Sequence, residues 1–147
     1  MTQASWRQVG HRIASECLAI RVRRLGRVVS RIYDTALAPH GISIAQVNLL
    51  AAIAVARGAR PTDLTQVLDV EKSTLSRDLK RMEDLGWVRS DPMARPRGRS
   101  LTLTPAGKRM LVQVGPAWEK AQEMAATELG KRPFEELRKL LLPFAPL

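Results

Sequence analysis

The sequence predicts a mainly α-helical fold that carries one short β-hairpin. Leu, Val, Ile and Ala recur at spacings of three and four residues along much of the chain, as they do on amphipathic helices. Two short extended runs flank a segment rich in Pro and Gly, and this pattern indicates a hairpin. The length of 147 residues, of which 45% are hydrophobic, suits one domain, or a small domain with added oligomerisation helices.

The first element is predicted to be one long helix over residues 5–37. Its aliphatic side chains lie within about 80° of each other on a helical wheel, and a row of arginines lies on the opposite side. The aliphatic positions are Leu18, Val22, Leu25, Val29, Ile32 and Ala36. So small a domain does not cover a helix of this length. We therefore expect the helix to pack on a second copy of itself or on helices from the far end of the chain.

Two more helices are predicted between residues 43 and 68. Ser43 and Gln46 have the spacing of a capping box, in which each side chain binds a free backbone N–H of the other residue, so the second helix begins there and extends to Gly58. Pro61 suits the first position of a short third helix, because a backbone N–H at that position has no partner within the helix. A tight turn leads from this helix to the next, and two helices joined so closely predict a helix-turn-helix.

The stretch "EKSTLSRDLKRMEDLGWV" is predicted to be the second helix of that pair. Leu75, Leu79 and Met82 share one face, which is expected to seat the helix on the core. The opposite face and its margins carry hydroxyls and cations: Ser73, Thr74, Ser76, Arg77, Lys80 and Arg81. An ordinary solvated helix normally interleaves Glu with Lys four residues apart, whereas Glu83 and Asp84 come only after this set. The pattern therefore favours contact with DNA, because Arg can bind guanine through two hydrogen bonds.

The predicted hairpin follows, with "VRS" and "RSLTL" as its strands and "DPMARPRG" as its tip. Arg95, Arg97 and Arg99 are spaced by two residues, so an extended chain places them on one side, where a narrow minor groove attracts arginine. The alternative is a cationic loop in which Pro96 and Gly98 scatter the three side chains. A hairpin in this position is a wing, and with the two preceding helices it predicts a winged helix-turn-helix.

Two closing helices are predicted. Thr104 suits the N-cap and Pro105 the first position of a long helix that extends to about Leu129. The segment "GKRP" separates it from a last amphipathic helix, 134–142. Residues 110–147 carry five basic and five acidic residues, a balance better suited to packing on a partner helix than to binding phosphates. The predicted parts are a dimerisation helix and linker at 1–42, a winged helix-turn-helix DNA-binding lobe at 43–103 and dimerisation helices at 104–147.

Composition limits the class of function. The chain has 24 Lys and Arg against 14 Asp and Glu, a formal net charge of +10, which favours a polyanionic partner, either nucleic acid or an anionic membrane surface. A single cysteine, Cys17, excludes an internal disulfide and a multi-cysteine zinc site. No long uninterrupted apolar segment occurs, so a cytoplasmic protein without a membrane partner is expected. Two distant histidines, with no H-E-x-x-H, C-x-x-C or glycine-rich phosphate loop, predict neither an enzyme nor a cofactor.

Several segments together resemble the MarR family of bacterial transcription regulators: "YDTALAPHGISIAQVNLLAAI", "DLTQVLDVEKSTLSRDLKRMEDLGWVRS" and "RSLTLTPAGKRML". The resemblance covers nearly the whole chain from about Cys17. It implies a homodimer held by the first and last helices, with a winged helix-turn-helix in each subunit. It also implies binding to a pseudo-palindromic operator in double-stranded DNA, usually as a repressor that a ligand releases.

The resemblance also carries over individual positions. The family's DNA-reading positions correspond to Ser73, Thr74, Ser76, Arg77 and Lys80, and its wing-tip arginine corresponds to Arg97. The chain departs from the family pattern at Arg95 and Pro96, where an aspartate usually opens the wing signature. Asp91, on the other side of the hairpin, is a candidate to replace that carboxylate.

Similar proteins often bind small aromatic acids or phenols between the dimerisation helices and the DNA-binding lobe, so a small aromatic or anionic effector is a further expected partner. Arg24, Arg27 and His40 either face such an anionic guest or belong to an ordinary polar surface. Some relatives sense peroxides through an N-terminal cysteine. Cys17 either serves as such a redox site or packs as a small apolar residue in one stripe with Ile13 and Ile20.

Two alternative functions use the same features. A sequence-indifferent nucleic-acid or chromosome-organising protein would need the basic surface and the wing but no base-reading helix. The other alternative is a protein-interaction dimer that has lost DNA binding. Salt-sensitive binding to duplex DNA, and its dependence on sequence, separates these alternatives.

Overall fold

The computed structural model describes residues 5–56, 58–94 and 98–144, and these residues form a mainly α-helical protein with one two-stranded antiparallel sheet. The predicted fold class is therefore confirmed. Its elements in chain order are α1 (Trp6–Glu16), α2 (Leu18–Leu37), α3 (Ile44–Val55), α4 (Pro61–Leu68), α5 (Lys72–Asp84), β1 (Val88–Asp91), β2 (Ser100–Leu103), α6 (Pro105–Leu129) and α7 (Lys131–Leu141).

The prediction of one unbroken helix over residues 5–37 is wrong, because the chain is extended at Cys17, with φ −63° and ψ 113°. A guanidinium N–H of Arg21 donates to the carbonyl oxygen of Ser15, so this carbonyl is satisfied without a continuing helix. The Ser15 hydroxyl donates to the carbonyl of His11 one turn back. All of α1 is exposed, so no buried packing contact in the described chain holds it in line with α2.

The core lies between α3, α5, the sheet and the first half of α6. Its most fully buried large side chains are Leu37, Leu50, Leu79, Met82, Leu101 and Val114. The predicted capping box at the start of α3 is present, with Ser43 and Gln46 each bonded to the other's backbone N–H. Gly58 has the expected positive φ of 80°, but α3 already ends at Val55.

Each of the two closing helices has a proline in its first turn, where a backbone N–H would have no partner within the helix. Thr104 caps α6 by accepting from the N–H of Gly107, and Pro105 takes the first position as predicted. The last helix begins earlier than predicted, at Lys131, because Pro133 lies in the first turn, where it removes no hydrogen bond. Gly130, with φ 85°, is the residue that separates α6 from α7.

Tyr33→Phe is expected to lower the free energy of unfolding by about 1 kcal/mol, because the Tyr33 hydroxyl donates to Gln122 Oε1 at 2.7 Å and joins α2 to α6. Burial raises the pKa of Tyr33, against a smaller opposing effect of Arg138. The folded protein therefore keeps this proton at a pH where an unfolded tyrosine, with a pKa of about 10, loses it.

The stability of the wild type should consequently fall as the pH rises above about 10 and through the raised pKa of Tyr33, and the Phe variant should lack this part of the fall. Urea unfolding at about pH 8 and about pH 10.5 measures both effects. An equal fall in the two proteins would contradict the assignment to Tyr33.

Apolar side chains are exposed on α1, on the first half of α2 and at the end of α7. They include Trp6 at 77%, Leu18 at 71%, Val22 at 56% and Leu140 at 68% exposure. In the described ranges, no single helix is long and apolar enough to cross a membrane. The bent pair Leu18–His40 and Ile44–Val55, at 82° to each other, reaches that length and composition only when the two are taken together.

Candidate nucleic-acid interface

The core fixes the orientation of α5. Leu75 and Leu79 are each 2% exposed and Met82 is fully buried, so the predicted apolar seat of this helix is confirmed. The turn between α4 and α5 passes through Asp69 in the left-handed region, with φ 49°, which Asp tolerates better than most residues. The chain thus presents α5 with a defined face toward solvent.

All six polar residues predicted on that face are exposed: Ser73, Thr74, Ser76, Arg77, Lys80 and Arg81. Four of them, Ser76, Arg77, Lys80 and Arg81, line one shallow cleft. A guanidinium N–H of Arg77 makes only a long contact of 3.5 Å with the Thr74 hydroxyl. Among the described residues, no carboxylate lies within ion-pair distance of Arg77. Its donors are therefore available to a ligand.

Lys80 differs from Arg77 because it has a local counter-ion. Its Nζ lies 2.6 Å from Asp84 Oδ1, one helical turn away. The hydrogen bond and the charge of Asp84 raise the pKa of Lys80. Lys80 and Asp84 are spaced at i and i+4, so the outward face has an acidic partner that the prediction from sequence did not include.

The hairpin forms the predicted wing, with Val88 opposite Leu103 and Asp91 opposite Ser100. Arg95 and Arg97, together with Pro96, lie outside the described residues, so their predicted contacts and any pairing of Asp91 with Arg97 remain predictions. Asp91 itself accepts from the backbone N–H of Met93 at 3.0 Å.

Arg99 is described, and its side chain is directed to the protein. Its Nε donates to Ser90 Oγ at 2.7 Å, and its Nη2 lies 3.1 Å from Glu83 Oε1 on α5. The predicted row of three arginines on one side of the hairpin did not anticipate this contact, because sequence spacing within one strand says nothing about a neighbouring helix.

A close contact joins the end of α5, the wing and α6. The Thr104 hydroxyl donates to the carbonyl of Gly86 at 2.5 Å, and the Thr104 N–H donates to the carbonyl of Trp87 at 3.0 Å. Gly107 lies directly against Trp87, where a Cβ would overlap the carbonyl oxygen and approach the carbonyl carbon to 2.9 Å. The sequence segment "LTLTPAG" therefore sets the position of the wing relative to α5.

The remaining candidate residues are not brought together. Arg24 and Arg27 are exposed on α2, and Arg27 lines a shallow surface with other residues of that helix only. His40 is half-buried in the turn after α2. Cys17 is half-exposed at the break between α1 and α2, and its predicted neighbours Ile13 and Ile20 are 55% and 48% exposed.

The pair α4–α5, followed directly by a two-stranded hairpin, defines a winged helix-turn-helix protein. Residues 40–95 match the family model described as the MarR family. This match, together with the solved structures of MarR-family regulators described next, confirms the resemblance to that family seen in the sequence. A comparison with curated proteins gave no significant match.

Solved structures of that family have the same fold. A mutant MarR from E. coli complexed with operator DNA is 26% identical, with a TM-score of 0.74 over 88% of this chain and 94% of that chain. The M. tuberculosis transcriptional regulator MosR is 28% identical, with a TM-score of 0.72 over 86% and 93%. A M. tuberculosis MarR family protein in complex with p-aminosalicylic acid is 21% identical, with a TM-score of 0.67 over 84% and 95%, and this likeness concerns the fold alone.

Proposed function

We propose that this protein is a sequence-specific regulator that binds double-stranded DNA through α5 and the wing. The observation that carries the proposal is the exposed hydroxyl and guanidinium face of α5, held outward by three buried side chains. Hydroxyls and guanidinium groups can pair with the edges of bases in the major groove, and the net charge of +10 favours the phosphate backbone. The operator complex of the E. coli relative supports the same use of the fold.

The regulator is proposed to act as a homodimer on a pseudo-palindromic operator. The exposed apolar side chains of α1, α2 and α7 favour a second copy as the surface that covers them. Two copies related by a twofold axis would place their α5 helices in successive major grooves, about 34 Å apart. Sedimentation should then give twice the 16.3 kDa of one chain. A monomer at micromolar concentration would contradict the dimer.

Selection of bound duplexes from a random pool tests the proposal as a whole. We expect an enriched motif with two inverted half-sites about 10 base pairs apart, because the twofold axis that relates the two α5 helices also relates the half-sites that they read. Salt-sensitive binding without an enriched motif would instead support the sequence-indifferent alternative. No salt-sensitive binding at all would support a dimer that does not bind DNA.

The regulator is further proposed to be a cytoplasmic repressor that a small aromatic or anionic compound releases. This class of effector is what the resemblance to the family implies, and the p-aminosalicylic acid complex of the M. tuberculosis protein with the same fold supplies a compound for the test. Titration of p-aminosalicylic acid into the protein bound to its selected operator is the direct test. Release is the expected result, and unchanged binding at saturating compound would exclude this aromatic acid as the effector.

Asp84→Asn is expected to strengthen binding to random duplex DNA about twofold to tenfold, because it frees Lys80 from its counter-ion. The slope of log K against log salt should become steeper by up to about 0.9 for each lysine that reaches a phosphate. Fluorescence anisotropy between about 50 and 200 mM salt measures both quantities. Glu119→Gln, the same charge change on an exposed residue of α6, serves as the control. An identical slope and affinity in wild type and Asp84→Asn would show that release of Lys80 from Asp84 adds no phosphate contact.

A further inference from the structure

Three elements meet in one small polar cluster on the flank of α5. Arg99 precedes β2, Ser90 lies in β1, and Glu83 lies near the end of α5. The Arg99 guanidinium donates to the Ser90 hydroxyl at 2.7 Å through Nε and to Glu83 Oε1 at 3.1 Å through Nη2. Glu83 is largely covered, with 26% of its side chain exposed, whereas the Arg99 side chain is 47% exposed.

We propose that Arg99 is a positioning residue, which bridges Ser90 and Glu83 and so holds the wing at a fixed angle to α5. This inference rests on the proposed DNA-binding function and assigns to Arg99 a role other than direct contact with DNA. The planar guanidinium suits the role, because two of its nitrogens, Nε and Nη2, donate to two partners at once in a fixed geometry.

The location of the cluster along the hairpin supports this role. The end of the hairpin nearest the core is held by Leu101, whose N–H donates to the carbonyl of Ala59 at 2.8 Å, and by Thr104. The ladder ends at the opposite side with the pair Asp91 and Ser100. Arg99 lies one residue beyond that last pair. Since a two-stranded hairpin is only marginally stable by itself, a bridge at this end restricts the wing where the backbone ladder stops.

The charge of Glu83 gives the proposal a distinctive sign. A carboxylate beside a DNA-binding surface repels phosphates. If this repulsion were the only effect of Glu83, removal of its charge would strengthen DNA binding. If Glu83 anchors Arg99, loss of the Glu83 carboxylate loosens the wing. The free-energy cost of ordering the wing on DNA then weakens binding. Glu83→Gln is therefore expected to weaken binding to the selected operator about threefold to tenfold. Unchanged or stronger binding would overturn the proposal.

Substitution of Arg99 separates a positioning role from a phosphate contact. Lysine keeps the charge and can contact phosphate, but it cannot bridge two partners in the fixed geometry of a guanidinium. Arg99→Lys and Arg99→Ala should therefore bind the operator with similar, reduced affinity and with the wild-type salt slope. A phosphate contact would instead leave Arg99→Lys close to wild type and reduce the slope of Arg99→Ala by about 0.9 per subunit.

Hydrogen exchange in the absence of DNA decides the structural half of the proposal. In Glu83→Gln and Arg99→Lys, the backbone amides of Asp91 and Ser100 should exchange faster relative to those of Arg89 and Thr102, the next hydrogen-bonded pair of the ladder, than they do in the wild type. Asp84→Asn changes the adjacent carboxylate, which pairs with Lys80 and not with the wing, and should leave this ratio unchanged. An unchanged ratio in the first two variants would refute the bridge, even if the wild type bound no operator and the regulator proposal failed.

Discussion

Gly107→Ala is expected to lower the free energy of unfolding by about 3 kcal/mol or more, because the added methyl group would occupy space that the Trp87 backbone fills. The obstacle is a carbonyl group and not the far end of a flexible side chain. That carbonyl also accepts the N–H of Thr104, so its displacement breaks the junction between the wing and α6. Urea or thermal unfolding followed by circular dichroism measures the loss.

Gly26→Ala is the matched control for this prediction. Gly26 lies within α2, is exposed, and has no atom within 4 Å of the position that a Cβ would take. In a helix interior, alanine is more favourable than glycine by about 0.5–1 kcal/mol of free energy, so this variant should be slightly more stable than wild type. If both glycine variants lost stability equally, a general effect of chain composition would be indicated and the contact with Trp87 would not be the cause.

Local rules predicted much of this fold. The capping box of Ser43 and Gln46, the N-cap of Thr104 and the apolar seat of α5 each depend on successive residues three or four positions apart, where sequence spacing gives spatial proximity directly. The break at Cys17 did not follow from such rules, because no Pro or helix-breaking Gly marks it. The helical spacing of apolar residues continues from α1 into α2, so the pattern alone does not reveal the break.

The candidate interface shows the same division. Exposure of the polar face of α5 followed from its period, whereas the link of Arg99 to Glu83 joins residues 16 positions apart and arises only when the wing folds back on α5. The close approach of Gly107 to Trp87 is likewise a contact between distant segments. These contacts position the wing against α5 and α6, and they direct Arg99 to Ser90 and Glu83, which the spacing of the three arginines did not predict.

Arg77→Ala is expected to weaken operator binding at least about tenfold and binding to random DNA considerably less, because a guanidinium that reads guanine contributes about 1–3 kcal/mol of discrimination. Arg77 suits this role because it is exposed on α5 and, among the described residues, meets no carboxylate that would compete for its donors. Anisotropy titrations with the selected operator and a random duplex of the same length give the two affinities. Arg12→Ala removes the same charge from α1, away from the core, and should weaken both only slightly.

Arg77→Lys then distinguishes base reading from charge. Lysine is a point charge and cannot present the two parallel donors that guanine O6 and N7 accept. The Lys variant should therefore keep the wild-type affinity for random DNA and the wild-type salt slope, yet lose operator affinity nearly as much as the Ala variant. Full operator affinity in Arg77→Lys, or equal weakening of both duplexes in Arg77→Ala, would mean that Arg77 contacts phosphate. In that case the discrimination between sequences would have to come from the hydroxyls of Ser73 and Ser76 on the same face.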